Sequence, residues 1–186
     1  MTEADSIQEY SFQWFFLRDL KRPNAKEHAF QMLSRMGVEV FTPMKIETRN
    51  VGGKRVRLVL PYINDMLFAH SKKNVLDEII AKTPTLQYRY VSGRKYREPL
   101  TIRDGDMEKF IAAVKSSDKP RYYLPQEITS GMRGRRIRII DGPMAGYEGQ
   151  LLAVKGSRKK RLIVEIPGCI AVAVEITSDC IEVVNE

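Results

Sequence analysis

The feature that most constrains this chain is a change of hydrophobic period near residue 131. Upstream, short apolar runs alternate with helical stripes. Downstream, every apolar run has a period of two, the spacing of side chains along a β-strand. Residues 136–140, 150–154, 161–166, 170–176 and 180–184 are five Val/Ile-rich runs separated by glycine, proline or charged turns. Five short strands in one small segment suit a closed β-barrel. Valine and isoleucine dominate and helix formers do not, so this half is expected to stay β.

The first half reads as an α+β fold. Residues 13–17 (Trp14, Phe15, Phe16 and Leu17 among them) form a buried strand. Asn24 can cap a helix with Glu27 three residues on, a capping-box spacing. Ala29, Met32, Leu33 and Met36 make one apolar stripe, and Gly37 closes the helix. Residues 38–41 are the next strand, ended by Pro43. Residues 45–60 form a long hairpin around Val51-Gly52-Gly53-Lys54, a turn tolerant of positive φ. A strand at 65–70, a helix at 74–82 (Leu76, Ile79 and Ile80 inward) and a strand at 86–91 follow. A last helix begins at Asp104 with Met107, Phe110, Ile111 and Val114 inward. The order implies an N-terminal α/β sandwich, an antiparallel sheet with helices packed on it, over residues 10–115. Residues 116–130 lose the periodicity and hold two prolines, Pro120 and Pro125. They read as a linker, or as an ordered extension packed on the first domain. The barrel takes residues 131–186.

Charge narrows the partners. Of the 186 residues, 31 are basic and 23 acidic, a net charge of +8. The residues before Gly131 hold 22 basic and 16 acidic side chains, and the rest hold 9 and 7. The first part is therefore the better candidate for touching phosphate, although each basic run alone is equally well a solvated face. Cys169 and Cys180 lie in β-branched surroundings without CxxC spacing, so neither zinc nor a disulfide is expected. The start of the chain lacks the basic head and apolar core of a signal peptide, which implies a cytoplasmic protein. No phosphate loop follows a strand, and no nucleophile has a base near it in sequence. Neither an enzyme nor a cofactor is expected.

Residues 134–149 read G-R-R-I-R-I-I-D-G-P-M-A-G-Y-E-G. A strand of alternating Arg and Ile, with Ile137 inward, runs into Asp141-Gly142-Pro143, where the carboxylate can cap a sharp turn. Gly146 and Gly149 then allow close backbone approach as the next strand begins. Taken singly these are ordinary turn residues. Together, from Gly134 to Gly149, they resemble the KOW motif. The aromatic start, the helix, Thr42-Pro43, the basic hairpin, and Pro61 with Met66-Leu67-Phe68 resemble the N-terminal domain of NusG proteins. The Pro43-Met44 step and Gly53-Lys54-Arg55 are closer to specialised paralogs of the RfaH and UpxY type.

That resemblance implies a five-stranded SH3-like barrel for residues 131–186 and a monomeric transcription-elongation factor. It implies docking on the RNA polymerase clamp through an exposed apolar patch, here Met66 and Phe68, Leu86, Tyr88 and Tyr90, completed by Leu100 or Ile102. Any one of these is equally well plain core. The resemblance also implies contact with upstream or non-template DNA, and with nascent RNA, through Lys21, Arg22, Lys45, Arg49, Lys54, Arg55 and Arg57. In NusG the barrel meets Rho or the ribosomal protein NusE beside a loop matching Ile166-Pro167-Gly168, where Pro167 cannot supply the usual aromatic contact. The implied job is antitermination in a long operon of the surface-polysaccharide type. Two other readings stay open: a general NusG-type elongation or termination factor, and a ribosome-associated KOW protein that binds RNA.

Overall fold

The computed structural model describes residues 11–22, 25–93, 97–153 and 159–184. The chain divides into two compact units, Met1–Asp104 and Gly105–Glu186.

The first unit is organised by β1 (Phe12–Asp19). Its register pairs Leu17 with Leu67, Phe16 with Phe68 and Phe15 with Ala69 of β5 (Leu67–Lys72). On the far side of β5 lies β2 (Glu39–Phe41). On the other flank of β1 lie β6 (Leu86–Tyr88) and the two-residue β7 (Thr101–Ile102), and every pairing in this sheet is antiparallel. Trp14, Phe15, Phe16 and Leu17 are all buried, so β1 is covered on both faces. That explains its unbroken apolar run where a half-buried strand would alternate. One face carries Phe15, Leu17, Leu67, Ala69, Leu86 and Tyr88, packed with Ala29 and Leu33 of α1 (Ala29–Arg35) and with Leu76 and Ile79 of α2 (Lys73–Ala81). Each fully buried aliphatic or aromatic side chain there stabilises by about 1.5–3 kcal/mol.

Helix α1 starts later than the sequence suggests. Asn24 lies outside the described residues, and the first helical residue is Ala29, with His28 at the N-cap position. The orphan N–H of Ala29 donates to the buried Asp19 carboxylate at 2.7 Å, and the Lys21 N–H donates to its other oxygen at 3.0 Å. Glu27 pairs with Arg35 at 2.7 Å.

The hairpin forms as expected, with β3 (Met44–Val51) paired to β4 (Lys54–Pro61) in continuous register. Gly52 and Gly53 both have positive φ, 58° and 79°, which a two-residue turn of this hand requires. The hairpin is a separate two-stranded sheet.

The second unit contains α3 (Asp104–Lys115), apart from its first residue, and a six-stranded antiparallel sheet. The five expected runs become β9 (Arg133–Ile139), β10 (Glu148–Leu152), β11 (Arg161–Ile166), β12 (Ile170–Glu175) and β13 (Ile181–Val183). The sixth, β8 (Arg121–Tyr123), comes from the segment read as a linker and pairs with β12. The strand order is β13-β9-β10-β11-β12-β8, and among the described residues no pairing joins β13 to β8 to close it. Tyr123, Ile128 and Met132 cover the buried cluster of Leu152, Ile163, Ala171 and Ala173. Residues 121–132 are therefore part of this unit's packing. The division between the units falls at 104/105, after the first residue of α3, where periodicity alone placed it after the helix.

Candidate functional site

The Asp-Gly-Pro turn between β9 and β10 behaves as its residues dictate. The Asp141 carboxylate accepts the Gly142 N–H at 2.8 Å, and Gly142 takes φ +87°. At Gly149 the reason for glycine is space, because a Cβ there would lie 2.7 Å from Leu162 Cδ1 and 3.0 Å from the Ile163 carbonyl oxygen. Ile137, paired to Gly149 across the ladder, is fully buried. Outside, Glu148 binds Arg138 at 2.6 Å and Arg136 at 3.2 Å. Hydrogen bonds from Arg138, then the charges of both arginines, hold the Glu148 carboxyl below the usual carboxylate range. Two basic side chains near the start of β11 are partly neutralised, since Lys159 and Arg161 both reach Glu175, at 2.7 and 3.3 Å. Arg158 lies outside the described residues.

The expected docking patch divides between two faces of the sheet. Phe68 stacks on Phe16, with ring centroids 4.8 Å apart and planes 21° from parallel. Ile102 pairs with Trp14, and the Leu100 carbonyl accepts the Phe16 N–H at 2.9 Å. Cross-strand partners share a face, so Phe68, Leu100 and Ile102 lie with Trp14 and Phe16, and Met66 follows Phe68 by alternation. Leu86 and Tyr88 pair instead with Asp19 and Leu17 and belong to the helix-covered core. Tyr90 sits beside Tyr88 and is exposed, with the Arg97 guanidinium over its ring at 5.8 Å. Burial pushes the Tyr88 phenol well up, and the Asp77 carboxylate, which accepts its hydrogen bond at 3.0 Å, adds to this. The patch is also not exposed as anticipated. Phe68 has 0% relative exposure and Met66 4%, while Leu100 is half-buried.

Sequence reading missed the polar margin of this face. The Arg89 guanidinium lies over the Phe16 ring at 4.7 Å and bonds Asp65 at 3.0 Å, and Arg18 bonds the same Asp65 oxygen at 3.2 Å. His70 stacks on Trp14 at 4.9 Å and bonds Glu39 at 2.9 Å. The signal was the alternation of β1, which puts Trp14, Phe16 and Arg18 on one side.

The cations expected at nucleic acid are mostly open. Lys45, Arg49, Lys54, Arg55 and Arg57 are exposed on the hairpin. Arg49 is held by Glu47 at 2.7 Å, while Lys45, Lys54, Arg55 and Arg57 have no ion-pair partner among the described residues. Lys21 donates to the Glu27 carbonyl at 2.9 Å, and Arg22 is exposed beside it. Arg94 and Lys95 lie outside the described residues.

A second surface feature is an apolar groove of about 400 Å³ between α1 and α2, lined by Met32, Met36, Val38, Val75 and Ile79. Among the described residues, no group of three or more His, Cys, Asp or Glu is placed to hold a metal ion, and no helix is long and apolar enough to cross a membrane.

An aromatic-cored antiparallel sheet backed by helices and bearing a basic hairpin makes up the first unit, and a helix followed by a six-stranded antiparallel sheet makes up the second. Residues 12–111, more than half of the chain, match the family model described as transcription termination factor NusG, and the chain belongs to that family. NusG-family proteins are transcription factors that bind RNA polymerase. No protein of curated function matches the sequence. Among solved structures, one titled for domain interaction in Thermotoga maritima NusG aligns at 14% identity and a TM-score of 0.43, over 94% of this chain and 98% of that one. At that score the likeness carries no argument.

Proposed function

We propose that this chain is a transcription-elongation regulator that binds the polymerase clamp through the Phe16–Phe68 face and nucleic acid through the β3–β4 hairpin. It works by binding alone, holding the clamp closed and the DNA fork ordered, so that pausing and termination fall. The observation that carries the reading is the family match over residues 12–111, which spans both the face and the hairpin. Docking requires the buried face to be uncovered, with half-buried Leu100 at its accessible margin. The four hairpin cations without an ion-pair partner among the described residues then supply phosphate affinity that weakens with salt.

Within the family, an antiterminator of the RfaH or UpxY type is favoured, serving a long operon of the surface-polysaccharide class. The support is Pro167, which leaves the 166–168 turn without an aromatic to offer Rho or NusE, together with the Pro43-Met44 step and the long basic hairpin. A general NusG-type factor is the alternative. Transcription in vitro across an intrinsic and a Rho-dependent terminator separates them. Added protein should raise read-through at both and leave the polymerase longer on the template. Increased Rho-dependent termination would contradict the antiterminator reading.

A further inference from the structure

Strand alternation sorts the hairpin side chains onto two faces. Lys45, Glu47, Arg49, Lys54, Leu58 and Leu60 share one face, where Glu47, Leu58 and Leu60 are partly covered. Ile46, Thr48, Asn50, Arg55, Arg57 and Val59 share the other, and all six are exposed. The faces also differ in what they can recognise. On the first, Glu47 engages the Nε–Nη2 edge of the Arg49 guanidinium, at 3.1 and 2.7 Å, and partly neutralises its charge. On the second there is no acid, and the register sets Asn50 opposite Arg55, Thr48 opposite Arg57 and Ile46 opposite Val59.

We infer that this second face enters the major groove of duplex DNA and reads base edges. The inference rests on the reading above that the chain works beside nucleic acid, and it names the form of nucleic acid and the residues that read it. A free two-stranded ribbon is one of the shapes that a major groove about 12 Å wide admits. Successive rungs on one face of a strand are about 6.7 Å apart. That is close to two base-pair steps of about 3.4 Å, so the three rungs meet every second base pair. The two free guanidinium forks match the O6/N7 pair of guanine, the Asn50 amide matches N6/N7 of adenine, and Ile46 and Val59 suit thymine methyl groups. Lys54 beside the tip and Lys45, both on the opposite face, are left for phosphates, which position without specifying.

The same residues argue against other nucleic acids. Single-stranded binders rely on aromatic platforms for base stacking, and residues 44–61 contain no aromatic side chain. The major groove of an RNA duplex is too deep and narrow for side chains to read.

The test is selection of the full-length chain on a pool of short randomised DNA duplexes, followed by fluorescence anisotropy on the enriched duplex, a scrambled duplex and the matching single strand. The enriched duplex should hold guanines two base pairs apart and bind about tenfold or more tighter than the scrambled one. R55K/R57K keeps the charge and removes the forks, so it should bind scrambled duplex about as well as the parent and lose the preference. N50A should relax the adenine position alone. Absence of an enriched sequence, equal affinity for the single strand, or an R55K/R57K variant that retains the preference would each overturn the inference. If any of these appears while the chain still joins transcribing polymerase, groove reading falls and the proposed function stands. Duplex preference without polymerase association sinks the proposed function and spares the ribbon.

Discussion

Replacing Phe68 with alanine removes a ring that has no solvent exposure and stacks 4.8 Å from Phe16, one rung from the end of the β1–β5 ladder. Deleting a buried phenylalanine side chain costs about 3–5 kcal/mol, because transfer energy is lost and the cavity closes only in part. Domains of this size have total stabilities of about 5–15 kcal/mol. With a urea m-value of about 1.5 kcal/mol per molar, the midpoint should fall by about 2–3 M. Trp14 is the single tryptophan, 4% exposed on the same face, so its fluorescence reports this unit directly. Phe68→Leu keeps most of the volume and should lose less than half as much. A Phe68→Ala midpoint within about 0.5 M of the parent would refute the packing described for this face. The magnitude also decides how docking is tested. Lost polymerase binding in Phe68→Ala would report unfolding, whereas the half-buried Leu100 can be changed to serine at lower cost.

Asp19 accepts two backbone N–H groups on separate oxygens, so Asp19→Asn must break one of them. It should cost about 1–3 kcal/mol in urea unfolding, and a neutral result would remove Asp19 as the tether of α1. Gly149→Ala places a methyl group against fully buried Leu162 and the Ile163 carbonyl, and should lower stability by about 1–3 kcal/mol. Unchanged thermal unfolding would show that the β10–β11 spacing relaxes freely. The Glu148 carboxyl is held below its ordinary value in the folded state. Its contribution is therefore full above the unfolded glutamate pKa of about 4.3 and fades as pH falls through the lower folded value. Glu148→Gln should be less stable than the parent at neutral pH and converge with it in acid, and a gap that widened in acid would reverse the sign.

The elements most legible in the sequence were those written in local chemistry. Gly52-Gly53 located the hairpin turn, and Asp141-Gly142 located the β9–β10 turn. What sequence reading missed depends on contacts between distant residues. Asn24 and Glu27 carry the right spacing for a cap, yet the carboxylate that meets the first helical N–H is Asp19, ten residues upstream of Ala29. Strand β8 is only three residues long and lies between Pro120 and Pro125, too short to display a period. The grouping of the docking residues into one exposed patch departs from the structure for a related reason. Spacing of two puts Met66 with Phe68 and Leu86 with Tyr88, but only the register of β1 against β5 and β6 shows that these pairs face opposite ways.

Association with RNA polymerase tests the central claim most directly. Labelled full-length chain should comigrate with transcribing elongation complexes in a native gel at low ionic strength, and Leu100→Ser should weaken that association while leaving the Trp14 unfolding transition in place. A chain that is folded by the same fluorescence measurement, yet stays free of the complexes at every concentration tried, would contradict the account.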